Sequence, residues 1–125
     1  MNTFSSIDPD NKYSNLIKQK INKKEAIIQL IALVEESVDS KIRIKCLNII
    51  AQINFKIDRV FKLLETCLIS DDNEFVRATA AKTIALIFPK KAAEPLRWAL
   101  HHETSPLVIN TISKLFEGLD DIYFK

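Results

Sequence analysis

Residues 24–53 can be laid over residues 58–87 at an offset of 34 with their apolar positions in register. Ile27 falls on Phe61, Leu30 on Leu64, Val34 on Leu68, Ile42 on Val76, Ile50 on Ile84 and Ile53 on Ile87. Arg43 falls on Arg77. An offset of 32 carries the second unit onto a third, residues 90–119: Leu64 on Leu96, Leu68 on Leu100, Val76 on Val108, Lys82 on Lys114 and Ile84 on Phe116. Self-similarity at 30–35 residues is a severe constraint. Each unit is too small to bury its own apolar face, so neighbours must stack into a solenoid.

The spacing inside each unit makes it a pair of helices. Ile27, Leu30, Ile31 and Val34 form one stripe, with Ile28 and Leu33 adding apolar flanks. A helix this apolar must be covered on two sides. Asp39 or Ser40 then caps a second helix with Ile42, Cys46, Ile49, Ile50 and Ile53 on one face. The second pair runs from Asp58, read as a cap, through Val60, Phe61, Leu64 and Leu68, and after a turn at 70–73 continues from Glu74 to Phe88. In the third pair, Pro95 requires a kinked or late-starting helix. Ser105-Pro106 is a start signal for a last helix ending near Gly118. Before the repeats, residues 1–10 read as a flexible leader. Residues 11–21, with Tyr13, Leu16, Ile17 and Ile21 at helical spacing, read as a cap helix on the first pair. Residues 120–125 read as a tail. The expectation is a single domain over 11–125 with seven helices.

One glycine and four prolines among 125 residues argue against the turns and bulges of a β fold. A net charge of +2 gives no long-range field of the kind nucleic acids or membranes select. Cys46 and Cys67 lie inside apolar periodic segments, without CxxC spacing, and read as reduced buried thiols. The N-terminus lacks the pattern of a signal peptide, and no apolar run approaches the ~20 residues of a membrane span. These features lead to an expectation of a soluble cytoplasmic protein.

The best-preserved unit couples Asp71-Asp72 to Val76-Arg77, Ala80-Ala81 and Ile84. An acidic turn at a helix N-terminus is favoured by the helix dipole. Arg77, one turn in, can reach the acidic turn of its own or a neighbouring unit. An acidic turn, a hydrophobe-Arg pair and small residues resemble HEAT repeats, specifically the short units of phycobilisome-lyase-type proteins. The resemblance covers residues 24–119 and implies an all-α, right-handed α-solenoid (superhelix) of about three hairpins plus the cap helix. It implies little about activity, because such units serve many roles. The third repeat departs from the pattern, with Ile109 in place of Arg and Glu103-Thr104 in place of the acidic pair. That speaks against an Asp–Arg ladder reaching the C-terminal end.

No catalytic constellation emerges. The single metal-like cluster is His101-His102-Glu103, and a metal needs three or four ligands from converging elements. Those histidines read instead as a helix C-terminus, where the dipole favours them. The lone Gly118 excludes a glycine-rich phosphate loop. The expectation is a protein with no cofactor, no metal and no activity of its own: an interaction or scaffolding module. Candidate partner-binding residues are Ile109 and Phe116, which extend the apolar stripe of the last helix, with Trp98, Lys82 and Lys114. Terminal repeats of a solenoid ordinarily turn a polar face outward, and this one does not. The expected partner is another protein, a further domain or a second copy meeting the C-terminal helix. Nucleic acid, held by Lys45, Lys82 and Lys114 on the second helices, is the alternative.

Overall fold

The computed structural model describes residues 22–123, with side chains through Gly118. The leader and cap helix expected at 1–21 lie outside this range, as do residues 124–125. Six α-helices occupy the described residues: α1 Lys23–Glu36, α2 Ser40–Ile53, α3 Asp58–Ser70, α4 Glu74–Ile87, α5 Ala93–His102 and α6 Pro106–Tyr123. They form three consecutive hairpins, α1–α2, α3–α4 and α5–α6, stacked into an all-α solenoid. Between hairpins, the second helices pack on one another more extensively than the first helices do, with α4 between α2 and α6.

Local chemistry sets most boundaries. Asn22 Oδ1 accepts from the Lys24 amide at 2.7 Å, and Asp39 Oδ1 accepts from that of Lys41 at 2.9 Å. Asn73 Oδ1 takes the amides of both Phe75 and Val76, at 2.8 and 3.2 Å. Ser105 Oγ accepts from Val108 at 3.3 Å, with Pro106 opening α6 where its missing N–H goes unneeded. Helix α2 ends at Asn54 in the left-handed region, φ 53°, the task glycine performs in chains richer in it.

Two boundaries differ from expectation and one agrees with it. Asp58 is not the cap of α3 but its first residue; Ile57 holds the N-cap position without a side-chain bond. Phe55 and Ile57 tuck onto the core, which pulls the boundary one residue early. Asp58 instead adds negative charge to the first turn. Helix α5 does start late, at Ala93, after a turn over 89–92. Pro95 therefore lies in its first turn, where no backbone donor is lost. Helix α6 does not stop at Gly118 but runs to Tyr123. A glycine inside a helix costs only about 1 kcal/mol relative to alanine, too little to end a helix whose neighbours favour it.

The core is one continuous cluster. Ile27, Leu30 and Ile31 of α1, Leu47 and Ile50 of α2, and Leu64 and Leu68 of α3 are fully buried, as are Ile84, Leu96 and Ile112 further along. Each such side chain contributes roughly 1.5–3 kcal/mol of burial. Helix α4 is buried on most of its circumference, and Ala78, Ala80 and Ala81 supply the small surface that admits helices on several sides. Cys46 and Cys67 are free thiols inside this cluster.

Candidate interaction surface

Two arginines tie the hairpins together. Arg43 of α2 donates from Nε to Asp71 Oδ2 and from Nη2 to Asp71 Oδ1, both at 3.0 Å, and Nη2 also reaches Asp72 at 3.3 Å. Its Nη1 donates to the Ser37 carbonyl of its own turn at 3.1 Å. Arg77 repeats the arrangement one hairpin later. Nε and Nη2 fork onto Glu103 Oε1 and Oε2 at 2.9 and 3.0 Å, and Nη1 donates to the Asp71 carbonyl at 2.9 Å. Asp71 thus serves both arginines, one through its carboxylate and one through its backbone. Arg77 thus reaches the turn of the neighbouring repeat, and the ladder continues into the third repeat although its acidic pair is replaced, because Glu103 occupies the Asp71 position with a longer side chain. The ladder ends there, since Ile109 stands where an arginine would reach further.

The electrostatics agree with a structural role. The hydrogen bond from Arg43 to Asp71 raises the guanidinium pKa, and that to Glu103 does the same for Arg77. Burial alone would push the Glu103 carboxyl up. The Arg77 hydrogen bond, the Ser105 and Thr104 amides and the nearby positive charge outweigh it and hold the carboxyl below its usual range. Glu103 accepts from both amides at 3.1 Å.

His101-His102-Glu103 is accordingly divided among separate tasks. Glu103 is bound to Arg77. The His102 ring stacks on Trp98 at 3.8 Å, with Nδ1 2.8 Å from the Trp98 carbonyl. Among the described residues no group of three or more His, Cys, Asp or Glu side chains is gathered that could hold a metal ion.

The five candidate residues do not converge on one site. Ile109 and Phe116 are half-buried rather than open, and Phe116 packs against the core with the Arg97 guanidinium 6.0 Å from its ring. Trp98 is 46% exposed but belongs to the first-helix layer. There it lines an open groove of about 780 Å³ between α3 and α5, over Phe61 and Ile69, with cationic Lys91 and Arg97 opposed by Glu65 and Glu94. Lys82 and Lys114 are exposed on the other layer, at equivalent positions of α4 and α6.

That second-helix layer presents a regular outward stripe. On α4 it consists of Phe75, Thr79, Lys82 and Leu86, and on α6 of Leu107, Thr111, Lys114 and Gly118. The equivalent stripe of α2 runs Lys41, Lys45, Asn48 and Gln52. Phe75 and Leu86 are 57% and 58% exposed, and Leu107 is 37% exposed. Thr79 Oγ1 donates to the Phe75 carbonyl and Thr111 Oγ1 to the Leu107 carbonyl, both at 2.8 Å, so these hydroxyls are spent on their own helices. Phe75 and Leu86 are the surface residues that sequence reasoning missed. The 32-residue offset that pairs Lys82 with Lys114 also pairs Phe75 with Leu107, and that register was the available signal.

No helix among the described residues is long and apolar enough to cross a membrane. Neither the curated proteins nor the solved structures compared with the chain match it. The family model described as HEAT repeats matches residues 27–115, spanning the Arg43 and Arg77 ladder and most of all three hairpins, and the chain belongs to the HEAT-repeat family.

Proposed function

We propose that this protein is a non-catalytic protein–protein interaction or scaffolding module that meets its partner over the outward stripes of α2, α4 and α6. The observation that carries this reading is the exposure of Phe75, Leu86 and Leu107 on one face of a rigidly stacked layer. Large apolar side chains grouped on an otherwise charged surface mark interaction sites. The ladder and the caps account for the conspicuous charged residues at the turns, which leaves no set of groups arranged for chemistry among the described residues. Repeat offsets of 34 and 32 support assigning the units to the short, phycobilisome-lyase type as a matter of repeat geometry alone.

Nucleic acid is the second reading, favoured by the lysines on the same face. Phe75, Leu86 and Leu107 weigh against it, because aliphatic and phenyl groups at this density suit a protein surface better than a phosphate backbone. A photo-crosslinking residue placed at Gln52, on this face but outside its apolar positions, tests the choice in cells of the source organism. Crosslinks to a defined protein that vanish in the Phe75→Ser/Leu107→Ser variant are expected. Crosslinks to nucleic acid, or protein crosslinks indifferent to both substitutions, would overturn the reading.

A further inference from the structure

The stripes specify what kind of protein segment they fit. Lys41, Lys45, Lys82 and Lys114 lie on them, and none of their positions on the three helices carries a carboxylate, although the chain has sixteen acidic residues. Among the described residues neither Lys82 nor Lys114 is ion-paired. Along the furrow between α4 and α6 the order is apolar, cationic, apolar: Phe75 with Leu107, then Lys82 with Lys114, then Leu86 beside Gly118. Seven residues of helix separate the first pair from the lysines, about 10 Å, and eleven separate it from the last position, about 16 Å.

Gly118 supplies an independent observation. It is the single glycine of the chain, it sits inside a helix, and a Cβ built on it would meet nothing within 4 Å. Its φ is not in the positive region. Among the described residues, neither packing nor backbone conformation therefore asks for glycine there. A missing side chain on an exposed helix face lets another backbone come close.

We infer that the α4–α6 furrow receives an acidic amphipathic helix from a partner protein. Apolar side chains of that helix rest on Phe75 and Leu107 at one end and on Leu86 at the other. Carboxylates between them meet Lys82 and Lys114, and the helix backbone passes close over Gly118. This is helix-in-groove recognition, with anchors near i and i+11 and acids near i+7. The inference rests on the interaction-module reading and narrows it.

The test is a selection of displayed random peptides of about 16 residues, long enough for four helical turns, against the whole chain. The selected peptides are expected to be net acidic, with apolar residues at helical spacing. Their affinity should fall at least tenfold in Lys82→Glu/Lys114→Glu and fall as salt rises. Gly118→Leu should weaken them similarly while circular dichroism and the thermal midpoint stay at or above wild type. Neutral or basic binders, or acidic ones indifferent to the charge reversal, overturn the inference. Binders lost in Phe75→Ser/Leu107→Ser but unaffected by Lys82→Glu/Lys114→Glu leave the module reading standing and sink only the acidic-helix partner. A selection returning no binder to this face, or a DNA duplex that binds more tightly than any selected peptide at equal salt, overturns both.

Discussion

Arg77 and Glu103 meet in a two-pronged hydrogen bond, Nε to Oε1 and Nη2 to Oε2, with the Glu103 side chain only 7% exposed. The pair joins the second and third hairpins, which Ser105 Oγ also ties by donating to Glu74 Oε1 at 2.6 Å, and it orients them through planar geometry that lysine could not supply. Arg77→Met removes the charged donor and leaves a largely buried carboxylate with only the Thr104 and Ser105 amides as partners. The expected loss is about 3 kcal/mol of unfolding free energy, dominated by the stranded charge. Arg77→Met/Glu103→Met should recover much of that loss, because no charge remains buried. Urea denaturation of both variants reads the difference. A double variant as unstable as the single one would mean that the geometry of the pair, and not the stranded carboxylate, carries the effect.

The same pair sets a response to acid. Glu103 has its carboxyl below the ordinary range in the folded chain, so folding binds fewer protons there than unfolding. Its contribution is present above the unfolded carboxylate value, about 4.3. It fades as the pH falls from there through the lower folded value. Stability measured against pH should therefore decline below about 4.3 more gently in Glu103→Gln than in wild type, although Glu103→Gln starts lower at neutral pH. Parallel curves would show that Glu103 does not titrate differently in the two states.

The hairpins were legible in the sequence because their determinants are local or periodic. Asn22, Asp39 and Ser105 cap in isolation, and the 34 and 32 offsets bring core positions into line without knowledge of packing. The boundary at Asp58 was not, since it depends on Ile57 and Phe55 finding the core, which is a tertiary event. The reach of the ladder was hidden for a related reason. Glu103 replaces an aspartate, and only the folded turn shows that its extra methylene still brings both oxygens to Arg77. Exposure was the least legible property. Phe116 continues an apolar stripe and is half-buried, whereas Phe75 sits beside a buried valine and stands open. Which side of a helix faces a neighbour depends on how three helices share α4, and that is written in no single one of them.

Close packing around α4 gives a prediction with a clear sign. Ala81 is fully buried on a helix that touches α2, α3 and α6. Ala81→Leu adds three carbons where neighbouring helices already meet and should cost about 1–3 kcal/mol through forced displacement. Leu86→Ala on the open face of the same helix should change stability by less than about 0.5 kcal/mol. Thermal or urea unfolding of the two variants compares them directly. A tolerated leucine at Ala81 would mean the second-helix layer can separate without penalty.

Cys67 offers a probe of unfolding that needs no engineered residue. Burial pushes its thiol up from 9.0 to about 12, the Asp71 carboxylate adds to the rise, and the Arg43 guanidinium opposes it. At pH 8 the folded thiol is therefore almost wholly protonated, and the thiolate is the form that reacts. A thiol reagent should leave Cys67 nearly untouched in the native chain and label it promptly in urea. Its slow native reaction should track the population of unfolded chain. The raised value also favours folding through the neutral thiol, a contribution fully present below the unfolded value of 9.0 and lost as the pH rises toward about 12. Cys67→Ala should accordingly be less sensitive to alkali over that interval than wild type, even though it loses core packing at neutral pH. Rapid native labelling of Cys67 at pH 8 would refute both parts, since it would require a thiol open to solvent between α3 and the Arg43 ladder.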